Sequence, residues 1–151
     1  MINRTAMKNQ PKGGFLIAKI HQIAGRLFSR KLKEFKIHEI NPSQGRIMFV
    51  LWRNDGISIN ELAKKTSLGK STLTSMLDRL EQSGHIKRAP SKEDRRKILI
   101  ECTEKDKAMQ DDYVKVSAEM NRLFYNGFTK KEIDKCEDYL VRILDNLVSI
   151  E

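Results

Sequence analysis

A run of small hydroxyl side chains lies between Ser67 and Ser75, where five serines and threonines occur within nine residues. Serine and threonine are poor helix formers, so this many of them on one helix favours a contact role. Small hydroxyls allow a helix to lie deep in the major groove of DNA and to bond to base edges or phosphates. The alternative interpretation is an ordinary amphipathic helix whose polar face is solvated.

Helical periodicity divides this run into two faces. At about 100° per residue, the apolar side chains form one narrow stripe that consists of Leu73, Met76, Leu77 and Leu80. The opposite face is polar and consists of Ser71, Ser75, Asp78, Arg79 and Gln82, with Thr72 and Thr74 at its edges. A helix packed by its leucines would expose these hydroxyls, and Arg79 could reach a phosphate or a guanine edge.

A second polar segment, residues 90–96, begins with a proline and precedes Lys97. Its charged residues are Lys92, Glu93, Asp94, Arg95 and Arg96. A thin basic loop can enter the minor groove, whose negative potential attracts arginine. Asp94 is two residues before Arg96, and its carboxylate could orient that guanidinium through a bidentate pair. The alternative is an exposed turn that neutralises its own charge.

The positive charge of the chain is concentrated in two stretches. The 151 residues include 29 Lys and Arg against 20 Asp and Glu, a formal net charge of +9. Residues 1–36 carry a net +8 and residues 70–97 a net +4, whereas residues 98–151 carry −4. Blocks of Lys and Arg attract phosphate because neutralising a nucleic-acid backbone releases counterions. A solvated basic surface would have the same composition.

Several classes of protein are excluded by what the sequence lacks. No apolar run is long enough for a membrane span, and the polar residues 1–14 do not resemble a signal peptide, so we expect a cytoplasmic protein. Cys102 and Cys136 make no disulfide framework. The histidines and cysteines lack zinc spacing, and no catalytic or phosphate-loop motif occurs. We therefore expect no metal, no other cofactor and no enzymatic activity.

The elements that would position these residues follow from capping and turn signals. We predict a flexible basic arm over 1–14, a helix over 15–35 and a helix that begins at Asn41-Pro42. A capping box at 58–61 begins a short helix, a tight turn at 67–69 follows, and Gly84 ends the hydroxyl-rich helix. The β-branched runs 86–89 and 97–102 predict a hairpin around the basic loop.

Two long helices are predicted to follow, with capping residues Thr103 and Thr129. Their apolar residues recur every three or four positions, a spacing typical of seams that pack on a partner helix. The seams consist of Met109, Tyr113, Val116, Met120 and Leu123, and of Ile133, Cys136, Leu140, Ile143, Leu147 and Ile150. The fold class is therefore mainly α with a small β-hairpin wing, in which a winged helix-turn-helix domain over 37–103 lies between helices 15–36 and 104–151.

The chain resembles the MarR family of winged-helix regulators from about Phe15 to Ile150. The resemblance is carried by Leu62-Ala63, 67–74, Leu77-Asp78-Arg79-Leu80-Glu81, 84–88, 93–97 and Cys102-Thr103. The specific signature is the Asp-x-Arg of the wing, which is Asp94-Arg95-Arg96 here, seven residues before Thr103. The one departure is Cys102, where the family usually has leucine.

This resemblance implies a ligand-responsive repressor that binds double-stranded DNA as a homodimer at a pseudo-palindromic operator. The outer helices would be dimerisation helices. The implied major-groove residues are Lys70, Ser71, Thr72, Thr74, Ser75 and Arg79. Arg96 would enter the minor groove with Asp94 holding it, and Arg95 would contact phosphate. The alternative function is a winged-helix module that binds proteins without specific DNA readout.

The resemblance also implies a small-molecule effector, which the sequence does not identify. A pocket for an aromatic effector could be lined by Phe15, Phe28, Trp52 and Tyr113, although such residues more commonly pack in a core. Cys136 lies on an apolar seam, where a buried cysteine behaves as a small hydrophobe.

Overall fold

The computed structural model describes residues 4–151, so the first three residues of the predicted flexible arm lie outside the described part. In chain order the elements are α1 (Arg4–Lys8), α2 (Gly13–Glu34), α3 (Pro42–Arg53), β1 (Ile57–Ser58), α4 (Ile59–Thr66), α5 (Lys70–Gln82), β2 (Ile86–Pro90), β3 (Ile98–Cys102), α6 (Glu104–Phe124) and α7 (Lys130–Val148). The fold is mainly helical with a small sheet, as the sequence predicts. Helix α1 lies where the sequence predicts a loose arm. No helix of residues 4–151 is long and apolar enough to cross a membrane.

Side-chain caps begin three of these helices where the sequence predicts them. Asn41 Oδ1 accepts from Gln44 N–H at 2.8 Å, and Gln44 Oε1 accepts from Asn41 N–H at 3.0 Å, so α3 has a full capping box. Thr129 forms the same reciprocal box with Glu132 at α7. At α4, Ser58 Oγ accepts from the N–H of Glu61 at 3.2 Å, but the reciprocal bond of the predicted capping box, from Ser58 N–H to the Glu61 side chain, does not form. Each cap satisfies an N–H that has no partner within its helix.

The sheet has strand order β1-β3-β2, and both pairings are antiparallel. The predicted hairpin is confirmed, with Ile86 opposite Cys102 and Pro90 opposite Ile98. The two-residue strand β1 was not predicted, because two residues are too few to show the alternation that identifies a strand.

The core lies beneath helix α5 and one face of the sheet. Its fully buried apolar side chains come from α3, α4, α5, β2, β3 and α6, and include Ile47, Met48, Leu51, Leu62, Leu73, Leu77, Leu80, Ile86, Ile100 and Val116. The leucine stripe of α5 is thus buried as predicted. Burial of such side chains stabilises the fold by about 1.5–3 kcal/mol each.

Helices α2 and α3 approach each other closely at Gly45. A Cβ added to Gly45 would lie 3.0 Å from Cε1 of Phe28 on α2, closer than ordinary van der Waals contact. The absence of a side chain at this position therefore sets how closely the Phe28 ring packs on α3.

The chain divides into two compact units, the first ending at Val116 and the second beginning at Ser117. In the second unit, Tyr125 stacks edge-on with Phe124 and Phe128, with ring centroids 5.0 and 5.8 Å apart. The hydroxyl of Tyr125 donates to Glu137 at 3.0 Å. Helix α7 has no buried residue within the single chain.

Candidate nucleic-acid interface

Helix α5 exposes the predicted polar face. Leu73, Leu77 and Leu80 are completely buried. All six predicted contact residues of this helix are exposed, namely Lys70, Ser71, Thr72, Thr74, Ser75 and Arg79. The buried leucines therefore fix the rotation of the helix about its axis, and that rotation directs the hydroxyls outward.

The turn before α5 leaves the helix N-terminus open. Ser67 has a left-handed backbone with φ of 54°, which reverses the chain between α4 and α5. Gly69 is the N-cap of α5 and makes no side-chain hydrogen bond to it. The first N–H groups of a helix without a side-chain cap can bind a phosphate oxygen.

The tip of the wing is held by backbone and side-chain hydrogen bonds within the loop. The backbone N–H of Ser91 donates to Lys97 O, and that of Lys97 donates to Asp94 O, both at 2.9 Å. Ser91 Oγ also accepts from the backbone N–H of Glu93 at 3.2 Å. Asp94, Arg95 and Arg96 are exposed on this ordered turn.

The role expected for Asp94 differs in the structure. Its Oδ1 accepts from the backbone N–H of Arg96 at 3.0 Å. The bidentate pair predicted with the Arg96 guanidinium does not form, and among residues 4–151 that guanidinium has no ion pair. An Asp side chain readily reaches the N–H two residues later, a geometry typical of Asx turns. Asp94 thus shapes the loop backbone and does not orient the guanidinium.

Arg88 links the wing to helix α5, and sequence analysis missed this role. Its guanidinium lies 2.8 Å from Asp78 Oδ1 and 3.0 Å from Glu81 Oε1. These pairs offset two negative charges on the helix that presents the hydroxyl face. The residues are ten and seven positions apart across a helix and a strand, so no local spacing rule indicates the pairing.

A buried polar cluster lies at the end of α5. His85 is completely buried; its Nδ1 is 3.1 Å from Asp106 Oδ1, and its Nε2 is 2.9 Å from Glu39 Oε2. Trp52 Nε1 donates to Asp106 Oδ2 at 2.7 Å. The hydrogen bond to Asp106 raises the pKa of His85 most strongly, and burial opposes this rise. The sequence contained His85 but no signal of these distant partners.

Cys102 lies close to this cluster, but its thiol is unreactive. Its thiol is buried, and burial together with the charges of Asp106 and Asp55 raises its pKa to about 12. A thiol with such a pKa stays protonated near neutral pH and is a poor nucleophile.

The four aromatic residues considered for an effector pocket lie in different environments. The rings of Trp52 and Tyr113 pack with centroids 4.3 Å apart, and Tyr113 is 2% exposed. Phe28 packs at Gly45, whereas Phe15 is exposed. Within residues 4–151, no group of three or more His, Cys, Asp or Glu could hold a metal ion.

Comparison with known proteins adds to this geometry. The model of the MarR family matches residues 40–98. The HTH-type transcriptional regulator PecS of Dickeya dadantii is 30% identical over 120 residues, which cover 78% of this chain and 72% of PecS. The chain belongs to the MarR family.

Other proteins match this chain over different shares of their length. The HTH-type transcriptional regulator TtmR of Methylorubrum extorquens is 37% identical over 73 residues, and the chain spans only 37% of the length of TtmR. A crystal structure of a mutant MarR from E. coli complexed with operator DNA has a TM-score of 0.74 and 26% identity, covering 87% of this chain and 92% of that one. The winged-helix fold of this chain is therefore that of the MarR family.

The matched region contains most of the candidate interface. Residues 40–98 include helix α5, the wing tip and Arg88. They also include His85 but not its partner Asp106, which lies on α6. The family match thus covers the exposed contact residues and only part of the buried cluster.

Proposed function

We propose that this MarR-family chain is a sequence-specific, double-stranded DNA-binding transcriptional regulator. The observation that carries the proposal is the exposed hydroxyl face of α5, held outward by three fully buried leucines beside an ordered basic loop. A helix of this width fits the major groove of B-form DNA. The related E. coli MarR complexed with operator DNA supports the same use of the fold here.

Each exposed residue of the candidate interface has its own role in DNA binding. The major-groove residues are Lys70, Ser71, Thr72, Thr74, Ser75 and Arg79, which read base edges and bind phosphates. The guanidinium of Arg96 enters the minor groove from the ordered wing tip, and Arg95 contacts phosphate. Asp94 contributes by holding the backbone N–H of Arg96.

We infer that the regulator acts as a homodimer through its outer helices. Helix α2 exposes Phe15, Leu16, Ile17, Ile20 and Ile23. Helix α7 exposes a longer set, namely Tyr139, Leu140, Val141, Ile143, Leu144, Leu147 and Val148. Apolar faces of this extent are typical of protein interfaces. A twofold dimer would present two α5 helices to half-sites about one helical turn apart.

Repression and response to an effector complete the proposed function. A repressor releases its operator when a ligand favours a dimer state with poorly spaced α5 helices. The support for both features is membership of the MarR family. Adding small aromatic compounds to the protein–operator complex, with fluorescence anisotropy of the duplex as the readout, tests the effector.

Selection from a random duplex library tests the proposed function. We expect enrichment of an inverted repeat whose half-sites are about 10 base pairs apart from centre to centre. The Arg79→Glu variant should fail to enrich this repeat, whereas Lys131→Glu, which makes the same charge change at an exposed site on α7, should enrich it. Retention of duplex without enrichment of any sequence would contradict sequence-specific binding.

A further inference from the structure

His85 joins three elements of the first unit through its backbone and its ring. Its backbone N–H donates to Leu80 O at 2.9 Å, near the end of α5, and its carbonyl accepts from Thr103 N–H at 3.1 Å, just before α6. Strand β2 begins at the next residue, Ile86. The residue that carries this buried ring is therefore fixed to the end of α5 and to the base of the wing.

Both ring nitrogens of His85 face carboxylate oxygens, at 3.1 Å from Asp106 and 2.9 Å from Glu39. A neutral imidazole has one N–H and can donate to only one of them, whereas the imidazolium donates to both. The arrangement in the structure thus fits the protonated ring. The hydrogen bonds to Asp106 and Glu39 raise the pKa of His85, against the effect of burial.

The other charged groups around His85 are already paired. Asp106 is completely buried, and its carboxylate accepts from Trp52 Nε1. Its backbone N–H donates to the hydroxyl of Thr103. Lys105 Nζ lies 2.8 Å from Glu39 Oε2 and 2.7 Å from Ser83 O. The bonds from Lys105 and His85 lower the pKa of Glu39, so Glu39 stays ionised near neutral pH.

The two remaining titratable groups near Asp106 stay neutral. Burial raises the pKa of the Cys102 thiol to about 12 and also raises the pKa of Tyr113. The Tyr113 hydroxyl has no hydrogen-bond partner among the described residues. Since Glu39 stays ionised, the group of this cluster that gains or loses a charge is the ring of His85, whose pKa lies above the ordinary value of a histidine.

Loss of the proton affects the two carboxylates unequally. Asp106 is buried and cannot be hydrated, so the remaining N–H of a neutral ring would stay on Asp106. The lone pair on Nε2 would then face the ionised Glu39, which is exposed and can turn toward water. The link between His85 and the segment that follows α2, residues 35–41, would be lost.

We propose that His85 is a positioning residue for DNA binding: its protonated ring links the segment after α2 to the end of α5, and affinity for duplex DNA falls when the ring loses its proton. This inference rests on the proposed DNA-binding function. Residues 35–41 follow α2, the helix proposed to dimerise, and the contact between Glu39 and His85 ties them to the end of α5, the helix proposed to enter the major groove. Loss of this contact therefore affects how α5 is presented. Thermodynamic linkage makes two factors equal: the factor by which protonation of the ring strengthens DNA binding, and the factor by which DNA binding raises the proton affinity of the ring.

A comparison of Glu39→Gln with the parent protein tests the inference. The amide introduced by this substitution can accept from Nε2–H or, after a flip, donate to its lone pair, so it suits both protonation states. The control is His38→Gln, which removes an exposed histidine next to Glu39. Anisotropy titrations of the duplex recovered by the selection are run from about pH 6 to about pH 9, with NMR titration of the His85 ring in free and DNA-bound protein.

For the parent we expect the dissociation constant to rise with pH, about tenfold for each unit by which DNA binding raises the pKa of His85. In Glu39→Gln the rise should shrink and its midpoint should move to lower pH, while His38→Gln follows the parent. Duplex binding whose pH dependence is unchanged by Glu39→Gln overturns the inference and leaves the proposed function standing. Failure to bind any duplex at any pH overturns both.

Discussion

Helices α5 and α7 have similar apolar patterns, but they are buried to very different extents in the single chain. Leu73, Leu77 and Leu80 of α5 are completely buried, whereas Leu140 and Leu147 of α7 are 41% and 63% exposed. Three- and four-residue spacing therefore predicts an apolar face but not what covers it. The face of α5 is covered by its own chain, and we propose that a second copy covers α7.

The difference has an energetic consequence. The buried leucines of α5 contribute to the stability of one chain, with about 25 cal/mol for each Å² of apolar surface removed from water. The exposed leucines of α7 contribute little until a partner covers them. Substitutions in the two helices should therefore affect different measurements.

The largest effect is expected from Leu77→Ala. Removing a completely buried leucine leaves a cavity beneath α5, so the free energy of unfolding should fall by about 2–5 kcal/mol. Urea denaturation followed by circular dichroism measures the change. Ser75→Ala on the exposed face is the matched control and should lie within about 0.5 kcal/mol of the parent. Equal stability of the two variants would mean that the leucine stripe is not a core.

The next effect is expected from Leu147→Lys, which puts a charge on the exposed face of α7. We expect the dissociation constant of the dimer to rise about thirtyfold, which corresponds to about 2 kcal/mol of dissociation free energy. The reason is that the ammonium group would lose its water in the interface and find no partner there. Light scattering over a concentration series measures the mass. Asn146→Lys adds the same charge one residue earlier and should remain dimeric. A parent protein that is monomeric at micromolar concentration would contradict the proposed covering of α7.

A similar or smaller effect is expected from Arg96→Ala at the wing tip. Specific duplex binding should weaken by about 1–3 kcal/mol, because the guanidinium proposed for the minor groove is lost. The backbone bond to Asp94 remains, so the fold should be unaffected. Fluorescence anisotropy at low salt measures affinity, and Lys131→Ala controls for the loss of one positive charge. Unchanged affinity would remove the wing from the binding mechanism.

The smallest effect is expected from Arg88→Ala, which removes the ion pairs between the wing and α5. Asp78 and Glu81 are both exposed, so we expect a loss of only about 0.2–1 kcal/mol in unfolding free energy. Thermal melts at low and high salt measure it, and the difference between the variants should shrink with salt. Lys65→Ala, which removes one positive charge from an exposed position on α4, is the control. A loss as large as that of Leu77→Ala would show that Arg88 acts as a core residue.

The sequence predicted the elements whose signals are local. The Asn41 cap, the Thr129 capping box, the leucine stripe of α5 and the hairpin 86–102 all depend on residues within one element or turn. The exposure of the polar face of α5 then followed from burial of its leucines. The family resemblance agreed with these predictions and added the roles of the exposed residues.

The interactions that the sequence could not predict join residues distant in the chain. Glu39 and His85 are 46 positions apart, and Trp52 and Asp106 are 54 apart. No periodicity or spacing relates such residues, because the approach depends on the packing of α3, α5 and α6. Asp94 bonds to Arg96, as the sequence predicts, but the donor is the backbone N–H of Arg96 and not its guanidinium.

The contact between Phe28 and Gly45 has a geometric consequence for the proposed dimer. Helix α2 rises about 1.5 Å per residue, so Gly13 at its start is about 22 Å from Phe28. A methyl group at position 45 would push the ring by a few tenths of an ångström and tilt the helix about that point. The displacement grows with distance from Phe28 toward Gly13, so one extra carbon atom would alter the distance between the two copies of α5 in the proposed dimer.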